Sequence, residues 1–181
     1  MPPAPHAPSR SALPGSAATA STHPLTASTA TDFDFIHGDW RVRHRRLRAR
    51  LADCTEWVDF DGTSSTRPIL GGQGNLEDNR IELPEGAYRA VALRTFDPTA
   101  ARWSIWWLDG HFPDRLDVPV VDSFEGGLGT FLADDDLDGR PIRVRFRWQV
   151  AGRDRARWEQ AFSDDGGETW ETNWTMDFLR A

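Results

Sequence analysis

Apolar and polar residues alternate with a period of two along most of the chain after residue 31, and helical periodicity is nearly absent. The clearest case is residues 142–150, where every even position is apolar and every odd position is arginine or glutamine. Successive side chains of a strand point to opposite faces, so this pattern predicts a strand with one buried face and one solvent face.

Short segments of this kind recur between tight turns. We predict strands at residues 38–45, 55–60, 64–70, 79–83, 88–96, 102–109, 119–124, 129–133 and 142–150, and a hairpin at 156–178. One predicted turn is Asp61-Gly62, and residues 47–53 fit a short helical or bulged segment. Sequential hairpins with no long crossover favour an all-β fold, a closed antiparallel up-and-down barrel of about eight to ten strands.

The turn of the last hairpin has the spacing S-x-D-x-G-x-T-W, from Ser163 to Trp170. Asp165 can accept backbone N–H groups within such a turn, and the two glycines allow positive φ. Sialidases carry the same spacing as a structural turn, but they need several copies, an arginine triad and a tyrosine nucleophile. This chain has one copy and one tyrosine, so we interpret the segment as an Asp-box-like structural hairpin.

The strands of this hairpin fit a register that makes one face aromatic. It pairs Trp158 with Trp174, Gln160 with Thr172, and Phe162 with Trp170. Gln160 and Thr172 then form a polar pair within an aromatic wall, where they either bond to each other or orient a ligand.

A second hairpin covers residues 88–109. Its register pairs Phe96 with Trp103, Arg94 with Ile105, and Ala92 with Trp107. Both faces are largely apolar, so the sequence leaves open which face points inward. If the Arg94 face is inward, Arg94 can hold an anionic head group, with Asp109 as its partner in the empty state. If it is outward, Arg94 stacks on Trp103.

His44 is in phase with Trp40 and Val42 and is either a general-base candidate or a satisfied half-buried histidine. No catalytic residue is assigned. The candidate ligand-binding residues are Arg94, Trp103, Trp107, Asp109, Trp158, Gln160, Thr172, Trp174 and His44. The histidines are scattered and no C-x-x-C spacing occurs, so we predict no metal site and no cofactor.

Residues 1–31 contain no Trp or Phe and consist mainly of Ala, Ser, Thr and Pro, which predicts a disordered N-terminal tail before a barrel domain at 32–181. The net charge of −7 argues against nucleic-acid binding. The basic run at 41–50 is then either the solvent face of a strand or an anion-binding patch. No apolar run reaches membrane-spanning length, which predicts no membrane association. The single Cys54 fits a reducing cytoplasm.

Three segments carry a resemblance, at residues 33–40, 103–109 and 162–174. They are similar to an uncharacterised bacterial family of lipocalin-like (calycin) β-barrel proteins, over residues 32–180. The pair Gly38-x-Trp40 also resembles the first strand of lipocalins, where the tryptophan plugs the closed end of the barrel. The resemblance implies a calycin/lipocalin-like barrel with an internal pocket, and it implies no particular activity.

Three hypotheses on function follow. The first is a protein that binds a small hydrophobic or aromatic ligand inside the barrel. The second is a pocket enzyme of cyclase, isomerase or lyase type, which requires an inward His44, Arg94 or Asp109 with a perturbed pKa. The third is a structural or dimerisation module, such as a homodimer, with a filled barrel and an exposed aromatic patch.

Overall fold

A computed structural model describes residues 27–181 of the chain, and residues 1–26 of the predicted tail lie outside the described residues. The strands are β1 (Gly38–Leu47), β2 (Trp57–Ile69), β3 (Gly74–Leu83), β4 (Gly86–Asp97), β5 (Arg102–Asp109), β6 (Val120–Glu125), β7 (Leu128–Leu137), β8 (Arg140–Val150), β9 (Arg155–Ser163) and β10 (Glu171–Arg180). Each strand pairs antiparallel with its sequence neighbours, and β1 pairs with β10 to close the ring. The predicted closed up-and-down barrel is confirmed.

The segment before β1 fills one end of the barrel. Phe33 is fully buried, with its ring centre 4.9 Å from that of Trp103 in an edge-to-face contact. The indole N–H of Trp40 donates to the carbonyl of Ile36 at 2.7 Å. The guanidinium of Arg180 lies 3.9 Å over the Trp40 ring. This end is therefore closed by packed aromatic rings, with Trp40 at the place that the lipocalin resemblance implies.

The predicted turn at Asp61-Gly62 is wrong, because β2 runs straight through it. A Cβ on Gly62 would lie 2.6 Å from the Arg80 carbonyl oxygen and 2.6 Å from Nε2 of His44. Glycine inside a strand marks such a close approach as often as it marks a bend. This glycine makes room for a neighbouring strand and for the inward His44 ring, so the two predicted segments are one long strand.

The predicted register of the 88–109 hairpin is confirmed, since Phe96 pairs with Trp103 and Arg94 with Ile105. The predicted register of the last hairpin is wrong, by one residue next to the turn and by two residues beyond the bulge. The structure pairs Trp174 with Gln160 and Met176 with Trp158, and the ladder shifts between Thr172 and Trp174.

The reason for this shift lies in the turn. Asp165 accepts the backbone N–H of Thr169 at 3.0 Å, and the indole of Trp170 donates to the Gly167 carbonyl at 3.0 Å. Hydrogen bonds from Thr169 and Ser163 hold the pKa of Asp165 well below its usual range. These bonds keep Trp170 in the turn, so the second strand starts later and takes up the difference in a bulge. Beyond the bulge the register error is two residues, an even number, which leaves Trp158, Gln160 and Trp174 on one face.

Candidate functional site

The half of the barrel away from the plug holds a cavity of about 470 Å³. It lies among strands β1 and β4–β10, and the segments 48–56 and 110–119 contribute to its mouth. The side chains that line its interior are mostly apolar, namely Ile105, Trp107, Val120, Ile142, Val144, Phe146, Trp158, Phe162 and Trp174. The arrangement is a deep apolar chamber under a polar rim.

Three tryptophans form one wall of this cavity. The Trp174 ring contacts Trp107 at 5.9 Å and Trp158 at 5.5 Å between ring centres, both close to perpendicular. Edge-to-face contacts of this kind are favourable for aromatic rings and restrict their rotation. The wall therefore presents fixed ring surfaces to whatever occupies the cavity.

Gln160 lines the cavity within this wall. Its side-chain amide donates to Oδ1 of Asn173 at 2.9 Å, and Asn173 is fully buried. The predicted pairing with Thr172 is wrong, because the bulge places Thr172 opposite Ala161. Thr172 does not line the cavity, so the polar group in the wall is Gln160 held by Asn173.

The side chain of Arg94 points into the barrel, but it does not line the large cavity, and its partner differs from the predicted one. It is 2% exposed and forms an ion pair with Glu77, not with Asp109 as predicted. Its Nη1 donates to Oδ1 of Asn75 at 2.9 Å, and Ser64 donates to Glu77 at 2.7 Å. The sequence reading missed Glu77 because the predicted strand began at residue 79, whereas β3 begins at Gly74.

A second chamber of about 20 Å³ lies between this ion pair and the large cavity. Glu77, Asn79 and Arg94 line it, and Trp107 and Trp158 border both chambers. Among the described residues, Nε of Arg94 and Nδ2 of Asn79 have no hydrogen-bond partner. The chamber is otherwise apolar, and these three polar side chains border a space large enough for about one water molecule.

The candidates Trp103 and His44 line neither chamber. Trp103 belongs to the closed end, where its indole donates to the Thr29 carbonyl at 3.1 Å. His44 is 3% exposed, stacks on Phe60 at 4.8 Å and accepts the indole N–H of Trp174 at 3.3 Å. Burial, and next the charge of Arg46, lower the pKa of His44 to about 3. His44 is therefore a neutral residue that orients Trp174.

Charged side chains surround the mouth. Asp109, one of the candidates, lines the cavity and accepts the backbone N–H and the Nδ1 of His111, both at 2.8 Å. Burial, and next Asp109, raise the pKa of Tyr88. Arg46 and Arg50 line the same mouth. The alternation that makes Trp40, Val42 and His44 inward also predicts an inward Arg46. This signal is hard to recognise because Arg46 lies within the basic run at 41–50.

In residues 27–181, no group of three or more His, Cys, Asp or Glu residues could hold a metal ion. None of the helices in this part of the chain has the length and apolar character needed to cross a bilayer.

Comparisons with known proteins give no family. No family model matches the chain, and no curated protein matches it. One solved structure that is similar to the chain is described as "Structure of EF1p2_mFAP2b bound to DFHBI". It shares 10% sequence identity and a TM-score of 0.43 with this chain, over 85% of this chain and 100% of that one. At this identity and TM-score, the likeness carries no argument about the ligand of this chain.

Proposed function

We propose that this protein binds a small hydrophobic or aromatic molecule in the cavity of the barrel. The observation that carries the proposal is the cavity of about 470 Å³ with its wall of Trp107, Trp158 and Trp174. Ligand sites in proteins commonly have volumes of about 300–1,000 Å³ and an apolar lining with a few placed polar groups. Gln160 and the rim charges are the polar groups of this lining.

The two alternative functions have less support. The enzyme hypothesis requires an inward His44, Arg94 or Asp109. His44 and Arg94 are buried but do not line the large cavity, and Asp109, which lines it, is already bonded to His111. A structural module would have a barrel filled by side chains, and a chamber of this volume does not fit that expectation.

The predictions of family, tail, cellular location and oligomeric state are also part of this proposal. We propose membership of the calycin family that the sequence resembles, supported by the position of Trp40 at the closed end. A tail domain at 1–31, a cytoplasmic location and a homodimer stay predictions. Ser28 and Thr29 already contact the barrel, through the backbone N–H of Phe124 and the indole of Trp103.

The experiment is a titration of the full chain with phenylnaphthylamine, a neutral aromatic amine whose fluorescence rises in apolar surroundings. Saturable enhancement with one site per chain, and energy transfer from tryptophan, are expected because Trp107, Trp158 and Trp174 would lie beside the probe. A lack of saturable binding by protein with a native circular dichroism spectrum would overturn the proposal.

A pair of variants locates the probe. Val144→Trp places a large side chain into the cavity, since Val144 lines it, and should abolish binding. Val121→Trp makes the same change on the outer face of β6, next to the inward Val120, and should leave binding unchanged. Equal binding by both variants would show that the probe binds elsewhere, which would also contradict the proposal.

A further inference from the structure

We propose that the ligand carries an acidic group, and that Arg46 and Arg50 bind this group at the mouth of the cavity. This inference rests on the proposed function and names the class of ligand: an aromatic or apolar body with one carboxylate, sulfonate or phosphate. The body would lie along the tryptophan wall, and the acidic group would lie at the rim.

Both arginines lie over aromatic rings that line the cavity. The guanidinium of Arg46, near the end of β1, lies 5.3 Å over the ring of Trp174. The guanidinium of Arg50 lies 5.8 Å over the ring of Phe162. Stacking uses the face of a guanidinium, while its N–H donors point outward in its plane. Each arginine therefore covers a cavity-lining ring; Arg46 also lies beside the Tyr88 hydroxyl, and each guanidinium has further N–H donors for an anion.

Neither arginine has an anionic partner, in contrast to its neighbours along the chain. Arg45 lies 3.8 Å from Asp59, and Arg48 lies 2.9 Å from Glu56, both on the outer surface. Within residues 27–181, no carboxylate lies within 4.0 Å of a guanidinium nitrogen of Arg46 or Arg50. Half-buried guanidinium groups without a carboxylate are expected where a ligand supplies the negative charge.

The electrostatics of the rim also favour an anion at Arg46 and Arg50. Burial, and next the charge of Arg46, lower the pKa of Arg50, and the more distant carboxylates of Glu171 and Asp109 offset part of this effect. Two positive groups at one edge of an apolar chamber repel each other, and an anion placed between them offsets both that repulsion and the cost of burial. Arginine stays charged in spite of such shifts, so the pair is a fixed positive site.

The carboxylates that line the mouth are Asp109 at the end of β5, Asp117 in segment 110–119, and Asp135 and Asp136 on β7. Asp109 is bonded to His111, and Asp136 accepts the backbone N–H of Gly139 at 2.6 Å. Partial burial, and next the Asp135 carboxylate, raise the pKa of Asp117. These carboxylates repel an acidic group, which favours its binding at Arg46 and Arg50.

The test compares two probes that differ by one group. Anilinonaphthalenesulfonate is phenylnaphthylamine with a sulfonate added, and both are titrated by fluorescence into the full chain and its variants. The sulfonate should bind at least several-fold more tightly than the neutral probe, and its affinity should fall with added salt. Arg46→Gln and Arg50→Gln should each weaken the sulfonate about tenfold and change the affinity for the neutral probe much less.

Two variants separate charge recognition from structural effects. Arg43→Gln removes the same charge from an outward position of β1 and should change neither affinity. Arg46→Lys keeps a positive charge and should retain part of the preference for the sulfonate, whereas a purely structural role would make Lys as poor as Gln. Competition of naphthylacetic acid and naphthylethylamine against the neutral probe gives a check with smaller ligands, and the acid should compete better.

Each outcome has one meaning. If the neutral probe binds and the sulfonate has no advantage, or if the arginine variants weaken both probes equally, the acidic-group proposal is wrong while the proposed function stands. If the amine competes better than the acid, the carboxylates of the rim bind the ligand and the proposal is also wrong. If neither probe binds, the proposed function fails and this inference fails with it.

Discussion

Replacing Arg94 by methionine should destabilise the barrel strongly, because it leaves the carboxylate of Glu77 buried without its positive partner. Both side chains are 2% exposed. Glu77 would keep only the hydrogen bond from Ser64, at 2.7 Å. The Oδ1 atom of Asn75 would also lose the donor that it has at 2.9 Å.

The size of the loss follows from these contacts. Removing one partner of a buried ion pair costs about 3–5 kcal/mol. Arg94 also packs between Phe33 and Trp148, with its guanidinium 5.1 Å from each ring centre. Methionine keeps part of that apolar contact, so we expect a loss near the lower bound, about 3 kcal/mol in the free energy of unfolding.

The assay is urea denaturation followed by tryptophan fluorescence, with the midpoint and the slope fitted separately. With a slope of about 2 kcal/mol per molar urea, the midpoint should fall by roughly 1.5 M. The control is Arg89→Met, which breaks an ion pair with Asp78 on the same two strands, where the side chains are 64% and 47% exposed. That variant should unfold within error of the parent, because exposed pairs contribute little.

A double variant checks the cause of the loss. Changing Glu77→Leu together with Arg94→Met removes both charges, so part of the stability lost in the single variant should return. If the single variant unfolds within about 1 kcal/mol of the parent, below the range for a broken buried pair, the pair is not buried in the way described. If the double variant is less stable than either single one, the loss comes from packing.

Three further predictions concern other parts of the barrel. Because the pKa of His44 is lowered to about 3, the unfolded chain binds a proton at this residue that the folded chain does not. The free energy of unfolding should therefore be independent of His44 above about pH 6.5. It should fall as pH drops toward 3, by at most about 1.4 kcal/mol per pH unit. Denaturant unfolding measured at a series of pH values should show this slope in the parent and not in His44→Gln. Gly62→Ala should cost about 1–3 kcal/mol, because its Cβ would lie 2.6 Å from the Arg80 carbonyl oxygen; a melting temperature equal to that of the parent would contradict this. Asp165→Ala should lower the melting temperature at neutral pH. The difference in melting temperature from the parent should shrink below about pH 4, because the bonds that lower the pKa of Asp165 stabilise only its charged form. Calorimetry at both pH values measures this difference.

Several features of the site were predictable because they depend on local pattern. The even positions of β8 and β9 are inward, as their alternation indicates, and these strands supply Val144, Phe146, Trp158 and Gln160 to the cavity. The turn Asp97–Ala101 is short and fixes the register of β4 and β5, so the pairing of Arg94 with Ile105 followed from counting.

Other features depend on contacts that are distant in sequence. Gln160 bonds to Asn173 and not to Thr172, because a bulge follows a turn whose side-chain bonds extend to Trp170. The partner of Arg94 lies on β3, which the sequence predicted to begin too late. His44 orients Trp174 across 130 positions of sequence. No periodicity in one segment can reveal the side chain that a different segment brings beside it.

The sequence by itself determined that this chain forms an antiparallel barrel, since its alternation leaves each strand with one face that must be buried. It also determined that the wall is rich in tryptophan. Only the tertiary structure decided which charged groups are neutralised inside and which stay free at the rim. The register of β3 and β4 brings Glu77 to Arg94, and the packing of the barrel leaves Arg46 and Arg50 beside aromatic rings with no carboxylate within 4.0 Å among the described residues. Burial and pairing of charge are set by distance in space, which the order of residues along the chain does not specify.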